Sequence, residues 1–169
     1  MQARMQQNQL SKEECYALID RCEYGVLASN GPDGYPYGAP VNIVRVGDEI
    51  CFHGHTKGDK VENLQRDSKV CLTVLWENGY EDLGDDPCNT CTIYESVIVK
   101  GDVRRVEDPA EKEAILRALV KRLTPEKGDM PMPEAMLKVT DVYAIGIKDM
   151  TGKYHRPEPG NRIMGARPQ

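Results

Sequence analysis

Residues 39–60 read "APVNIVRVGDEICFHGHTKGDK", and this stretch decides the fold. An apolar run over 39–46 and a second over 49–53 flank Gly47-Asp48, a dipeptide typical of tight turns between strands. The pattern therefore predicts a β-hairpin. The second strand leads into a turn that contains two glycines, and a short helix is predicted directly after it, over residues 59–67.

The sequence on both sides extends this hairpin into an antiparallel meander. Further strands are predicted over residues 24–28, 69–76, 92–106 and 142–147, and helices over 11–22 and 109–123. Strands and helices do not alternate as they do in parallel sheets, and no segment repeats. We therefore expect a mainly β protein with peripheral helices, whose antiparallel sheet bends at Gly101 and closes into a small barrel.

Length and composition agree with one domain. The chain has 169 residues, and the expected division is an N-terminal extension over 1–10, a domain over 11–155 and a tail over 156–169. A net charge of −5 without a long basic run argues against a nucleic-acid partner. No apolar run is long enough for a membrane span or a signal peptide, so a cytoplasmic location is expected.

The stretch "FHGHTKGDK" at 52–60 contains two of the three histidines of the chain. On a strand, His53 and His55 share one face and could chelate a metal ion. A zinc site needs further ligands, and the candidates are His155 and the Cys88-x-x-Cys91 pair. That pair could also be a redox dithiol or part of a divergent loop. For the stretch 52–60, the alternative to a metal site is a strand end with one buried and one exposed histidine.

An anion site accounts for more of the same residues. The amide groups at the start of the predicted helix favour a phosphate, and Lys57 and Lys60 lie within reach of one. Gly54 and Gly58 would let the backbone approach a ligand closely. The chain has neither a Gly-x-Gly-x-x-Gly fingerprint nor a P-loop, so the common nucleotide-binding folds do not explain this turn.

Four stretches, in this order, carry a resemblance: "GVLASNGPDGYPYGAPVNIV", "ICFHGHTKGDKVENLQRDSKVCLTV", "YESVIVKGDVRRVED" and "KEAILRALVKRL". Together they resemble the FMN-binding split-barrel family that includes pyridoxamine 5′-phosphate oxidase, and within it the nitroimidazole-reductase-like branch. The resemblance implies an antiparallel split β-barrel that binds FMN at the interface of a homodimer.

The resemblance also implies positions for the cofactor. His53 would lie beside the flavin, Lys60 near its phosphate, and Lys57 is the candidate for a second phosphate cation, because the oxidases carry Ser-Arg-Lys where this chain has Lys57-Gly58-Asp59-Lys60. The full set of expected FMN contacts is Pro40, Val41, Asn42, His53, Gly54, Lys57, Lys60 and Ser96.

The expected function is that of an FMN-dependent oxidoreductase of the flavin reductase or nitroreductase type. A nicotinamide donor would reduce FMN, and FMN would reduce a small electron-poor acceptor, with His53 as the candidate catalytic residue that donates a hydrogen bond or a proton. A non-catalytic module that binds flavin or haem, as a sensor or carrier, is the alternative.

Overall fold

The structure is a computed structural model and describes residues 7–166. Within this range the strands are β1 (Gln9–Leu10), β2 (Tyr24–Asn30), β3 (Pro36–Val46), β4 (Glu49–His55), β5 (Lys69–Asp82), β6 (Thr90–Arg105), β7 (Thr140–His155) and β8 (Arg162–Met164). The helices are α1 (Lys12–Arg21), α2 (Asp59–Arg66), α3 (Pro109–Leu123) and α4 (Glu134–Val139), with a 3₁₀ turn at Pro125–Lys127. The beginning of the expected N-terminal extension, residues 1–6, and the last three residues of the expected tail lie outside the described range.

Six of the strands form a closed antiparallel barrel. They hydrogen-bond in the order β7–β4–β3–β2–β5–β6, and the pairing of β6 with β7 closes the ring. The short strands β1 and β8 add to β7 and β5 at its rim. The predicted mainly β fold with peripheral helices is confirmed.

Side-chain alternation along β4 divides the apolar residues between two cores. Ile50 and Phe52 point into the barrel, where they join the main core. Cys51 points outward, into a second core that α3 covers with Ile115 and Leu119. Helix α1 packs Cys15, Leu18 and Ile19 against the main core. None of the helices in residues 7–166 has the length and apolar character needed to cross a membrane.

The predicted helix starts match the structure. Ser11 and Glu14 form a capping box at α1, a pairing that their spacing of three residues also predicts, and the Asp108 side chain caps α3 ahead of Pro109. The end of α1 is closed by Arg122 of α3, whose guanidinium donates to the carbonyl oxygens of Ile19, Asp20 and Cys22.

Several strands are longer than predicted, and the largest differences are at β7 and β5. The last strand was expected over 142–147, but β7 runs from Thr140 to His155. Its second half is mostly polar, and hydrogen bonds to both β1 and β6 hold it in the sheet. The connection between the predicted strands over 69–76 and 92–106 is also shorter than expected, because β5 extends to Asp82, which pairs with Thr90 at the start of β6. The irregularity expected at Gly101 is present as a register shift between β6 and β7.

The beginning of the expected tail folds back onto the end of β5. Glu81 is fully buried there and accepts hydrogen bonds from the backbone N–H of Glu158 and the side-chain amide of Asn161, both at 2.7 Å. The Nε2 atom of His155 lies 2.6 Å from the second carboxylate oxygen of Glu81. Strand β8 continues this attachment by pairing with Tyr80–Asp82.

The attachment predicts a pH dependence. Hydrogen bonds from Asn161 and from the Glu158 amide, together with His155, lower the pKa of Glu81 below its ordinary value of 4.5. A carboxyl with a lowered folded-state pKa contributes stability above its unfolded-state pKa, and this contribution is lost as the pH falls through the folded-state value. Glu81→Gln should therefore flatten the loss of stability in acid, measured as the free energy of unfolding in urea between about pH 7 and about pH 3.

The matched control is Glu126→Gln, since Glu126 is an exposed glutamate of the 3₁₀ turn. Its pH profile should follow that of the wild type. An unchanged slope in Glu81→Gln would show that the Glu81 charge does not hold the C-terminal segment.

Candidate functional site

The turn between β4 and α2 has the backbone geometry of an anion site. Gly58, which precedes α2, has φ 121° and ψ 170°, a conformation that residues with a side chain rarely adopt. The first hydrogen bond of the helix runs from the N–H of Glu62 to the carbonyl of Gly58 at 3.1 Å. Because Gly58 has no side chain to cap α2, the amide groups of its first turn remain available to an anion.

Lys60 places a half-buried positive charge at this turn. Its ammonium lies 5.5 Å from the ring centroid of Phe52, at the end of the barrel where β4 leads into the turn. Burial lowers the pKa of Lys60, and no carboxylate in the described part of the chain forms an ion pair with it. A partly desolvated cation without a counter-ion is unfavourable, so this arrangement favours an anionic ligand.

The two histidines of the turn differ in environment. The His53 side chain is exposed on the single chain, but desolvation of its ring by neighbouring residues, and then the charge of Lys60, lowers its pKa, so the imidazole is neutral near pH 7 and can donate a hydrogen bond. His55 contributes to the shape of the turn, since its Nδ1 accepts a hydrogen bond of 3.2 Å from the backbone N–H of Lys57. The Lys57 side chain is exposed.

The metal interpretation does not fit the arrangement of the histidines. His53 and His55 pair with Val142 and Thr140 near the start of β7, whereas His155 is the last residue of that strand. Among residues 7–166, no three His, Cys, Asp or Glu side chains are arranged to hold a metal ion. Cys88 and Cys91 are both free thiols.

Strand β3 brings the other expected contacts next to the turn. Asn42 directly precedes Ile43, which pairs with Phe52 of β4. Pro40 is exposed and Asn42 half-buried, while Val41 is only 5% exposed and belongs to the main core. A ligand on the outer surface could therefore touch only the backbone of Val41. The Asn42 amide donates to the carbonyl of Glu23 at 3.4 Å.

The outer face beside Pro40 is apolar and exposed. Register places Pro40 opposite Val26, Val26 opposite Thr73, and Thr73 opposite Ile98. Tyr24 and Leu75 lie on the neighbouring strands and are 64% and 59% exposed. We call this surface, Tyr24, Val26, Pro40, Thr73, Leu75 and Ile98, the outer apolar face. Exposed apolar residues grouped on one sheet face are typical of interaction surfaces.

Ser96 is not brought to the turn of its own chain. It pairs with Lys153, whereas Gly54 pairs with Asp141, so the two positions lie towards opposite ends of β7. At about 3.3 Å per residue this separation is up to about 40 Å along the strand. Ser96 instead lines a cavity of about 660 Å³ together with Tyr16, Met150 and Lys153.

A second cavity, of about 520 Å³, is lined by Ala28, Cys71 and Lys100. Neither cavity includes the turn between His53 and Lys60. Since Lys60 is only half-buried and Lys57 exposed, we describe the turn as an open surface of the single chain rather than an enclosed pocket.

The sequence reasoning missed the environment of Lys60. Gly54 was expected to let a ligand approach the backbone, but the space beside it is filled by the Lys60 side chain. Phe52 was not singled out from the sequence, although its ring lies beneath the Lys60 ammonium. The sequence gives one signal of this environment. Phe52 and Gly54 are two residues apart on a strand and therefore share a face, and Lys60 follows in the next helix.

Comparisons with known proteins support a common fold. A family model described as pyridoxamine 5′-phosphate oxidase matches residues 11–154. No curated protein matches the chain.

Solved structures give the same architecture. A Bacteroides thetaiotaomicron protein, provisionally assigned to 5-nitroimidazole antibiotic resistance, is 24% identical with a TM-score of 0.75, covering 86% of this chain and 85% of that one. The flavocytochrome Anf3 of Azotobacter vinelandii is 22% identical with a TM-score of 0.80, covering 94% and 79%. An FAD and heme binding protein of Mycobacterium smegmatis is 23% identical with a TM-score of 0.79, covering 88% and 74%. Identities this low show a shared fold and no more.

The coupling between Lys60 and His53 can be measured without a ligand. Lys60→Ala removes a positive charge that lowers the pKa of His53, so the imidazole should titrate at a higher pH in this variant. NMR titration of the histidine ring protons provides the measurement. Lys57→Ala is the matched control, because the charge of Lys57 is not a cause of the shift at His53, and its His53 titration should equal that of the wild type.

Proposed function

The chain belongs to the pyridoxamine 5′-phosphate oxidase family, and from this premise we propose that it is an FMN-dependent oxidoreductase. Flavin binding is supported by the family and by flavin-binding neighbours of the same fold. The observation that carries FMN in particular is Lys60, a half-buried ammonium without an anionic partner among the described residues, beside the uncapped first turn of α2. A terminal phosphate dianion matches this combination of charge and amide donors.

The residues of the turn would hold the phosphate. Lys60 supplies a partly desolvated charge, the first-turn amides of α2 donate hydrogen bonds, and exposed Lys57 is the second cation. Pro40 and Asn42 on β3, with the backbone of Val41, would lie along the ring system. When bound, FMN supplies hydride transfer to and from its ring.

His53 is the proposed side chain beside the reacting atoms. Its lowered pKa makes it a neutral hydrogen-bond donor near pH 7 rather than a charged acid. Asp141, opposite Gly54 on β7, is buried but paired with Arg105 at 2.7 Å, so we assign the chemistry to the cofactor. We propose a small electron-poor acceptor, in keeping with the neighbour assigned to 5-nitroimidazole resistance, and a nicotinamide donor.

The experiment that tests this function compares FMN with riboflavin, which lacks the phosphate. Lys60→Ala should weaken FMN binding about 10- to 100-fold, because a hydrogen bond to a charged group is worth about 1.5–3 kcal/mol, and should leave riboflavin binding unchanged. Fluorescence titration of the purified protein gives both affinities. The exposed Lys69 offers a control, since Lys69→Ala should bind FMN as the wild type does.

A wild-type protein that takes up neither FMN nor FAD would end the proposal. Tighter binding of FAD than of FMN would keep the flavin function and change the cofactor.

We also propose that the active form is a homodimer. The outer apolar face would be covered by a second copy, and Ser96 would reach the flavin held by the partner, since it lies far from Lys60 in its own chain. Placement in the cytoplasm belongs to the same proposal and is supported by the six free cysteines.

Mixed dimers test the sharing of the site. Lys60→Ala and Ser96→Phe should each impair FMN binding in a homogeneous dimer, the second by filling the space beside the ring. When the two chains are co-expressed, a mixed dimer should recover one intact site, formed by Lys60 of one chain and Ser96 of the other. If both residues served the site of the same chain, each site would carry one defect and no binding would return.

A non-catalytic module is the second candidate, since neighbours of the same fold are described as a flavocytochrome and as an FAD and heme binding protein. An absorption spectrum separates the candidates. Bound flavin that a nicotinamide donor reduces and an electron-poor acceptor reoxidises supports the enzyme, whereas a haem spectrum or an inert flavin supports the module.

A further inference from the structure

We propose that Gly54 sets the position of the Lys60 ammonium and thereby gives the site its preference for phosphorylated flavins. The inference rests on the proposed role of the turn as the seat of the flavin phosphate. It assigns Gly54 a positioning role that acts through Lys60, rather than a direct contact with the ligand.

The geometry leaves no space for a side chain at position 54. A Cβ atom added to Gly54 would lie 2.7 Å from Nζ and 3.1 Å from Cε of Lys60. Non-bonded contacts of a Cβ atom below 3.0 Å are essentially never seen in proteins, so the lysine would have to move. Gly54 does not have a positive φ, which means that alanine is compatible with its backbone and the expected effect comes from this contact.

The Phe52 ring beneath Lys60 cannot move in place of the lysine. Phe52 is fully buried, and its ring stacks on Tyr143 with a centroid distance of 5.2 Å and an interplanar angle of 16°. Both side chains belong to the main core of the barrel. A methyl group at position 54 would therefore displace the flexible lysine towards solvent and leave the aromatic pair in place.

Displacement would change what the lysine offers to an anion. The ammonium lies over the Phe52 ring, in the space that Gly54 leaves beside the strand, and it is partly desolvated there, as its lowered pKa indicates. A lysine in water is a mobile, strongly hydrated charge whose attraction to an anion is screened. Gly54 thus acts on affinity for the phosphate and has no bearing on the flavin ring.

The test uses four full-length proteins: wild type, Gly54→Ala, Lys60→Ala and the double variant, each titrated with FMN and with riboflavin. Gly54→Ala should lower the affinity for FMN about tenfold and leave that for riboflavin unchanged. In the Lys60→Ala background, Gly54→Ala should have no further effect. An equal loss for FMN and riboflavin, or a further loss in the double variant, would show that position 54 meets the ligand directly and would overturn the inference.

A second measurement needs no flavin and so separates this inference from the proposed function. The pH dependence of acylation at the Lys60 amine, followed by peptide mass spectrometry, reports its pKa. In Gly54→Ala this pKa should rise towards the ordinary lysine value, because the amine moves into water. An unchanged titration in folded Gly54→Ala protein would overturn the inference even if the wild type binds FMN.

The double variant also provides a test in the case where the Gly54→Ala protein does not fold. If Gly54→Ala alone does not fold, removal of the Lys60 side chain should relieve the collision and restore folding. A double variant that also remains unfolded would mean that position 54 collides with something other than Lys60, and the inference would be wrong.

Discussion

The structure depends on the pairing of β7 with two strands at once. Its first half pairs with β4 and most of its length with β6, and these two ladders close the barrel. Closure fixes the end of β4, and with it the turn where Gly54, Gly58 and Lys60 meet. Closure also leaves the six barrel strands without an unpaired edge. The outer apolar face is therefore exposed because no helix or second sheet covers it, and not because its strands lack hydrogen-bond partners.

The electrostatics of the turn follow from that closure. Phe52 belongs to the barrel core, so the ring that supports the Lys60 ammonium is as rigid as the core itself. Folding therefore places a cation where water is partly excluded and where no carboxylate of the described residues neutralises it. Partial desolvation of this charge costs free energy during folding. Because that cost is already met before binding, an anionic ligand gains more from pairing with this preformed site.

Much of the fold was predictable because its strong signals are local. The hairpin around Gly47-Asp48, the capping box at Ser11 and the Asp108 cap each act within a few residues. The second half of β7 was not predictable in the same way. Its residues from Lys148 onward are mostly polar and lack apolar alternation, and only neighbours distant in the chain make them a strand. Prediction of the site has the same limit. Gly54 and Lys60 are close to each other only because α2 folds back over β4.

The turn supplies a cation, amide donors and the imidazole of His53, and the proposed function leaves the redox chemistry to a bound cofactor. A protein that relies on a bound redox group needs affinity, orientation and an open approach for the acceptor more than it needs acids and bases. In the proposed site, a single copy would meet the first requirement at the turn but would leave the ring side exposed. If Ser96 and the outer apolar face of a second copy complete that side, one surface serves two purposes: its burial holds the dimer together and its closure shields the flavin. Selection for dimer stability and selection for redox function would then act on the same residues, so that Pro40, Val26 and Ile98 could not vary freely even though none of them takes part in the reaction.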